Sequence, residues 1–296
     1  MFENLPSDLL AVVLKHVDDE FLFPTAHVCS GVKNAIIDVI VNDSQRRKFA
    51  RCTIKAASKG HLSLLRWAHE TGECSWCKYV CSLAALNGHL STLTYAQTNG
   101  CPWDDTTCSF AALSGHLDVL VWARKNNCPW NEDTCSFAAI NGHLEVLQWA
   151  HENGAPVDAS VSRNAAECGH LPVLKWAWSH EPLRYSGIAD AAASKGHLEV
   201  LQWAYLEGGE DVVWTYATCA AAASRGRFAV LQWLHKNNCP WNEWTCSAAA
   251  KHGDLDILKW ARARGCPWDK WTLMAAKKGG HLNLLVWAKG EGCPET

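Results

Sequence analysis

The sequence predicts an all-α protein in which short helix-turn-helix repeats stack into a solenoid behind a small helical module of another kind. Three observations support this prediction. The pattern Gly-His-Leu-x-x-Leu-x-Trp-Ala recurs along most of the 296 residues, its apolar positions follow a helical spacing, and no repeat glycine precedes Gly60. We expect about nine repeats over residues 46–296 and a separate N-terminal module over residues 1–45.

The repeat glycines set the period. Six of the eight steps between them are 27 residues long, one is 28 and one is 30. A period of this length is typical of repeats that each supply one supersecondary unit. The glycines are Gly60, Gly88, Gly115, Gly142, Gly169, Gly196, Gly226, Gly253 and Gly280.

Each repeat predicts two short helices. In the fourth repeat a first helix should start after Asn131, a suitable N-cap, and end at Gly142. A second helix with an apolar stripe from Leu144 to Ala150 should close at Asn153-Gly154. The expected N-caps are Asp104, Asn131, Asp158, Asn242 and Asp269. We also expect the Trp or Tyr found seven residues after each glycine to form one continuous packed spine.

Composition argues against several classes of function. A net charge of −3 and a pI of about 6.5 give no global attraction to nucleic acid or anionic membranes. Apolar runs such as Leu9–Leu14 are far shorter than the ~18 residues of a membrane span, and the N-terminus does not resemble a secretory signal. We therefore expect an intracellular monomer, cytoplasmic or nuclear, that binds neither nucleic acid nor membrane.

The 15 cysteines fall mainly into two columns, one in the first helices and one in the loops. Neighbouring members of a column should lie ~8–10 Å apart, too far for a disulfide, so packing is the preferred interpretation. The dense cluster Cys74, Cys77 and Cys81 lacks the second half of a four-ligand zinc site. We expect no metal, cofactor or catalytic residue, because no nucleophile, base and acid stand out from the repeating background.

The repeat resembles the ankyrin family. The segment TCSFAALSGHLDVLVWARKNNCP (107–129) carries a small-residue pair before Gly-His-Leu, as the ankyrin consensus does. The ankyrin period is ~33 residues, so the missing residues should come from the hairpin between repeats, here cut to a tight turn. Short, Trp-rich repeats of this kind are similar to those abundant in giant DNA viruses. The resemblance implies a protein-binding solenoid whose histidines tie neighbouring turns together.

The N-terminal segment 5–36 resembles an F-box, although Val32 stands where that family usually has Trp. The resemblance implies docking to a Skp-type adaptor of cullin–RING ubiquitin ligases. The alternative is a plain helical cap on the first repeat. The expected docking residues are Leu5, Pro6, Leu9, Leu10, Val13, Leu14, Leu22 and Val28.

We expect contacts with a target protein at the positions of the repeat whose residue type varies from one repeat to the next. The two residues before each repeat glycine vary, and in ankyrin-like proteins they line the concave groove. The candidates there are Leu86, Asn87, Leu113, Ser114, Ile140, Asn141, Glu167, Lys195, Arg225, Lys251, His252 and Lys278. The set changes from apolar to basic along the chain, which predicts a target with an apolar part and an acidic part. Unusual aromatics add candidates on the loop side: Trp214, Tyr216, Trp244 and Trp271.

Together these features predict a non-catalytic adaptor, most concretely a substrate receptor of a cullin–RING (SCF-type) ubiquitin ligase. One alternative is an interaction scaffold with no ubiquitin link. Another is a metal or thiol-redox protein built on the cysteine columns.

Overall fold

The computed structural model describes residues 50–70, 76–180, 187–209 and 212–295, and within these ranges it contains 18 helices and no strand. The chain forms two compact units, Met1–Asp158 and Ala159–Thr296. The helices of the first unit are α1 (Ala50–Ser58), α2 (Leu62–Glu70), α3 (Lys78–Leu86), α4 (Leu90–Thr98), α5 (Asp105–Leu113), α6 (Leu117–Lys125), α7 (Glu132–Ile140) and α8 (Leu144–Glu152).

The second unit continues the same alternation. Its helices are α9 (Ser160–Cys168), α10 (Leu171–Trp178), α11 (Ile188–Lys195), α12 (Leu198–Glu207), α13 (Tyr216–Ala223), α14 (Phe228–Lys236), α15 (Glu243–His252), α16 (Leu255–Ala263), α17 (Lys270–Gly279) and α18 (Leu282–Gly290). Each odd-numbered helix and the helix after it form one repeat, giving repeats 1–4 in the first unit and repeats 5–9 in the second.

Within each unit the odd-numbered first helices stack on one another, and each even-numbered second helix packs against the first helix of its own repeat. The predicted all-α, ankyrin-like stack of helix-turn-helix repeats is confirmed. No helix within the described ranges is long and apolar enough to cross a membrane.

Polar side chains start the first helices as predicted. The Asn131 side chain accepts a hydrogen bond from the backbone N–H of Asp133, and Asp104, Asn242 and Asp269 cap their helices in the same way. The expectation for Asp158 is wrong in detail. Helix α9 begins one residue later, and its N-cap is Ala159, whose methyl group cannot accept a hydrogen bond.

Left-handed residues end both helices of a repeat. Gly115 at φ +77° lets the His116 N–H bond back to the carbonyl of Ala111, which satisfies the last turn of α5. At the end of α6 the left-handed residue is Asn127 at φ +63°, and the following Cys128 N–H bonds to the carbonyl of Ala123. The predicted tight turns between repeats are therefore helix C-caps.

The continuous core consists of leucine and alanine, and the expected tryptophan spine is wrong. Five residues after the repeat glycine stands a leucine that is fully buried in the first eight repeats: Leu65, Leu93, Leu120, Leu147, Leu174, Leu201, Leu231 and Leu258. Paired alanines on the first helices, such as Ala111 and Ala112, are also fully buried and allow those helices to approach closely. Most rings of the tryptophan column are only half-buried, because they lie at the edge of this core.

Those edge rings are held by stacking between repeats. Trp241, in the loop before α15, stacks on His235 of the preceding α14, with ring centroids 4.2 Å apart. It also meets Trp260 of α16 edge-on at 5.9 Å, and Trp260 in turn lies edge-on to His235 at 5.5 Å, so the three rings form one cluster. Arginine replaces the histidine elsewhere: the Arg124 guanidinium lies 3.9 Å from the centroid of Trp130, and that of Arg262 lies 4.2 Å from Trp268.

Histidines of successive repeats lock the turns together. The His197 ring packs over Gly169 of the preceding repeat, and its Nε2 donates to the carbonyl of Glu167 at 2.8 Å. The carbonyl can only accept, so Nε2 carries the proton. Burial lowers the pKa values of His89 and His116, which keeps the equivalent rings neutral. The structural role that the family resemblance implied for these histidines is present.

Replacing Gly253 by Ala should destabilise the protein clearly more than replacing Gly280 by Ala. Both glycines lie in the left-handed region, at φ +90° and +75°, so each substitution costs about 1–2 kcal/mol of backbone strain. A Cβ on Gly253 would also lie 2.5 Å from the His281 ring, whereas one on Gly280 meets nothing within 4 Å. We expect the free energy of unfolding, from urea denaturation, to fall about 2 kcal/mol further for Gly253→Ala. Equal losses would contradict the interlocking of repeats.

Candidate protein-binding surface

The first helices present one outward face, defined by the second, fifth and ninth residues after the N-cap. In α15 these are Trp244, Ser247 and Lys251, whose spacing of three and four places them on one side of the helix. We call this side the first-helix face. Because the first helices stack, the same positions of neighbouring repeats form rows across each unit.

In the second unit this face carries an exposed aromatic row. Trp244 and Trp271 occupy the same position in α15 and α17 and are 54% and 55% exposed. Tyr216, at the start of α13, lies edge-on to Trp244 with ring centroids 5.3 Å apart. Met274 extends the row, since it is 52% exposed at a position where most other repeats have serine or alanine. The sequence-based prediction missed Met274, although its departure from serine is visible in the sequence.

A basic row runs beside the aromatic one. Lys251 and Lys278 are exposed at the ninth position of α15 and α17, two residues before the repeat glycine. Arg225 and Lys195 are exposed beside this row, one residue before the glycine of their own repeats. A rise of 1.5 Å per residue over the seven residues between Trp244 and Lys251 separates the two rows by about 10 Å. The second unit therefore carries apolar and basic parts side by side on the same helices.

His252, one of the groove candidates, also has a structural role in the contact between repeats. Its exposed ring lies over Gly226, with Nε2 2.8 Å from the position of a Cβ there. The residue that carries this ring in most repeats is Asp254 here, and Asp254 instead caps α16 by accepting from the Ile257 N–H. His252 thus takes over the packing role of the missing histidine.

In the first unit the predicted apolar groove residues are buried. Leu86, Leu113 and Ile140 are 4%, 0% and 8% exposed, and their contact with a target stays a prediction. The neutral neighbours are also engaged. Asn87 donates to the Leu83 carbonyl, and Asn141 donates at 2.6 Å to the Leu113 carbonyl of the preceding repeat.

The remaining groove candidates and Trp214 lie at less exposed positions. Ser114 and Glu167 are half-buried. Trp214 is half-buried as well and packs against Tyr205 and Trp233, at centroid distances of 6.0 and 6.2 Å. Its place in the loop before a first helix matches that of the edge tryptophans, so its role is packing. Of the four aromatic candidates on the loop side, Tyr216, Trp244 and Trp271 are exposed.

Many of the cysteines are buried in pairs that join the two sequence columns. Four loop cysteines follow a first-helix cysteine by 20 residues. The Cys128 thiol donates to the Asp104 carbonyl at 3.4 Å, at the start of α5, and Cys266 donates to the Asn242 carbonyl at 3.4 Å. The neighbouring thiol Cys108, together with burial, raises the pKa of Cys128.

Burial also acts on a cysteine without such a neighbour, because it raises the pKa of Cys135 to about 12. Thiols of this kind are poor nucleophiles at neutral pH. No disulfide joins the cysteines of the described ranges, and no group of three or more metal-ligating side chains occurs there.

The proposed adaptor-docking residues, from Leu5 to Val28, lie outside the described residues, as does Cys74. Among the residues that the structure describes, exposed aromatic and basic side chains stand in adjacent rows on the first-helix face of the second unit. This face is the candidate binding surface.

Comparison with known proteins agrees with the geometry. A family described as ankyrin repeats (many copies) matches residues 135–177, from the first helix of repeat 4 to the second helix of repeat 5. The match supports an ankyrin repeat protein. Ankyrin repeat proteins are generally non-catalytic binding scaffolds. No curated protein matches the chain.

Two neighbouring tryptophans should respond differently to truncation. Trp241→Ala removes a half-buried ring that stacks on His235 and meets Trp260 edge-on, and we expect a loss of about 2 kcal/mol in the free energy of unfolding. Trp244→Ala removes an exposed ring and should change stability by less than about 0.5 kcal/mol. Denaturant midpoints of the two variants measure the difference; a comparable loss from Trp244→Ala would show that this ring is structural.

Proposed function

We propose that the protein is a binding adaptor that holds a target protein on the first-helix face of its second unit. The observation that carries this proposal is the aromatic row of Tyr216, Trp244 and Trp271 beside a basic row. Exposed aromatic rings are favoured interface anchors, and a contiguous apolar patch on a protein surface commonly marks an interaction site. The basic row favours a target with carboxylates next to its apolar residues.

We further propose that the N-terminal module, residues 1–45, links the target to a Skp-type adaptor and so to a cullin–RING ubiquitin ligase. This part is supported by the sequence resemblance alone. An ankyrin-like scaffold without a ubiquitin link is the alternative, and the two differ only in what the N-terminal module binds. The thiol-redox alternative loses support, because the paired thiols are buried and burial favours the protonated form of a thiol.

Target binding is tested with the full chain as bait. Proteins captured from cells by the wild type should be depleted about tenfold or more with the double variant Trp244→Ala and Trp271→Ala, since two central aromatic anchors are lost. Leu206→Ala is the matched control: Leu206 is 78% exposed but lies on the second helix α12, so its capture profile should match the wild type. Identical profiles for all three proteins would rule out this face as the target site.

The ligase link is tested separately with a purified Skp-type adaptor. The full chain should bind it, and the double variant Leu9→Asp and Leu10→Asp should not, because two carboxylates cannot enter an apolar docking surface. The tryptophan variants should bind the adaptor normally. If neither the wild type nor the variant binds, the scaffold alternative is favoured, whatever the target experiment shows.

A further inference from the structure

Most tryptophans in the loops between repeats lie against a guanidinium or imidazole group. Six tryptophans, which we call the loop tryptophans, stand twelve residues before a repeat glycine: Trp76, Trp103, Trp130, Trp214, Trp241 and Trp268. In four of them the group comes from the ninth residue after the preceding glycine. The pairs are His69 with Trp76, Arg124 with Trp130, His235 with Trp241 and Arg262 with Trp268, at 4.7, 3.9, 4.2 and 4.2 Å from the tryptophan centroid.

The loops before α5 and α13 carry other residues at this position. Gln97 precedes Trp103, and Tyr205 precedes Trp214. Tyr205 meets Trp214 edge-on, with centroids 6.0 Å apart and an interplanar angle of 79°. Its phenol ring has no positive charge at neutral pH. Trp214 therefore keeps its packing role, but an edge contact replaces the guanidinium or imidazole that the four other pairs have.

Tyr205, Trp214 and Trp233 line a cavity in the second unit. Each ring contacts the other two, at centroid distances of 5.8–6.2 Å and interplanar angles of 50–89° or less, with Tyr205 at 84° to Trp233 and Trp214 at 50° to Trp233. The cavity beside the rings has a volume of about 230 Å³. A cavity of about 150 Å³ accepts a benzene ring, so a planar guanidinium group fits here.

The remainder of the cavity wall supplies hydrogen-bond acceptors. It consists of the end of α14 and the loop after it: Leu234, Asn237, Asn238, Cys239 and Pro240. The Asn237 amide nitrogen donates to the Trp233 carbonyl at 2.8 Å, so the oxygen of that amide is not used in this bond. A guanidinium has five N–H donors and suits a wall with aromatic rings and amide oxygens, whereas a quaternary ammonium has no N–H to donate.

The same chain already holds guanidinium groups in this way. Arg124 and Arg262 each lie over a loop tryptophan, and each also donates to a backbone carbonyl of the same loop, that of Cys128 or Cys266. An aromatic face with an acceptor beside it is thus an arrangement that this repeat uses for its own arginines. At Tyr205 the repeat has the rings and the acceptors but no arginine of its own at that position.

We propose that the cavity beside Tyr205, Trp214 and Trp233 binds the guanidinium group of an arginine from a partner protein. The negative faces of the rings attract the cation, and the asparagine amides accept from its N–H groups. One side chain gives a dissociation constant only on the order of millimolar, so the cavity is one contact within a larger interface. It lies on the second helices α12 and α14 and their loops, apart from the first-helix face.

Fluorine NMR of the full chain labelled with 5-fluorotryptophan tests this site. The signals of Trp214 and Trp233 are assigned by their loss in Trp214→Phe and Trp233→Phe. Nα-acetylarginine N-methylamide should shift both signals saturably. The citrulline analogue, which has nearly the same shape without the charge, should bind about tenfold or more weakly, because the cation–π attraction is lost. No saturable shift, or equal binding of the two amides, would overturn the proposal.

Two substitutions of Tyr205 test the location. Tyr205→Arg installs the residue that Arg124 and Arg262 provide in other repeats, so the chain should stay folded, as judged by circular dichroism. Its own guanidinium should compete for the rings and weaken binding of the arginine amide about tenfold or more. Tyr205→Phe keeps the ring and should bind within about twofold of the wild type. Unchanged binding by Tyr205→Arg would contradict the site; if that variant loses helicity, Tyr205→Ala should weaken binding instead.

A third probe distinguishes guanidinium from quaternary ammonium. Nα-acetyl-trimethyllysine N-methylamide carries the same charge but no N–H donor on its cationic group. We expect it to bind more weakly than the arginine amide, and tighter binding would overturn the assignment to arginine.

These titrations do not depend on the first-helix face. The double variant Trp244→Ala and Trp271→Ala leaves the cavity intact and should bind the arginine amide as the wild type does. Failure of the capture experiment would remove the proposed target face and leave the cavity. Absence of arginine binding would remove the cavity and leave the target face.

Discussion

The contact between a histidine ring and the glycine of the preceding repeat determines how the helix pairs stack. The glycine must be left-handed to end its helix, and its missing Cβ leaves the space that the ring fills; a Cβ added to Gly253 would lie only 2.5 Å from the His281 ring. The ring then donates to a backbone carbonyl at the end of the preceding first helix, as His281 does to Lys251 at 3.1 Å. One turn is thereby tied to the next at a fixed offset. Where the histidine is absent the chain compensates, since Arg227 donates to an equivalent carbonyl and His252 fills the space over a glycine.

Because successive repeats stack at a fixed offset, equivalent residues of neighbouring repeats form rows. The residues of one row share one structural role. Leucine and paired alanines fill the core, thiols hold the loops to helix starts, and loop tryptophans join the edges of adjacent repeats. These residues would look like candidate sites in a single repeat, because cysteine, histidine and tryptophan lie close together there. In the stacked repeats these cysteine, histidine and tryptophan side chains pack against neighbouring repeats. The residues of the first-helix face have no such role in every repeat, so they can differ from one repeat to the next.

Much of the fold could be predicted because its signals are local. An Asn or Asp eleven residues before the glycine predicts the N-cap, as Asn131 confirms, and the glycine itself predicts the helix end. The degree to which a side chain at the edge of the stack is buried does not depend on local sequence alone. Trp149 and Leu147 both lie on the apolar stripe of α8, yet only Leu147 reaches the fully buried core, since the stack closes over one side of the stripe. The same limit applies to Leu113, which is fully buried although it stands at the position of the exposed Lys251, and to Trp214, whose packing depends on aromatic rings from two other helices.

The candidate binding residues differ in exposure between the two units. Trp244, Trp271 and the lysines of the second unit are exposed as expected, whereas the leucines of the first unit are covered. The same positions of the repeat thus carry exposed aromatic and basic residues in one unit and buried apolar residues in the other. Hydroxyl-radical footprinting of the full chain tests this division most directly. With each rate normalised to the intrinsic reactivity of its residue type, we predict rapid oxidation of Trp244, Trp271 and Met274 and strong protection of Leu86, Leu113 and Ile140. Equal normalised rates for the two sets would contradict this division.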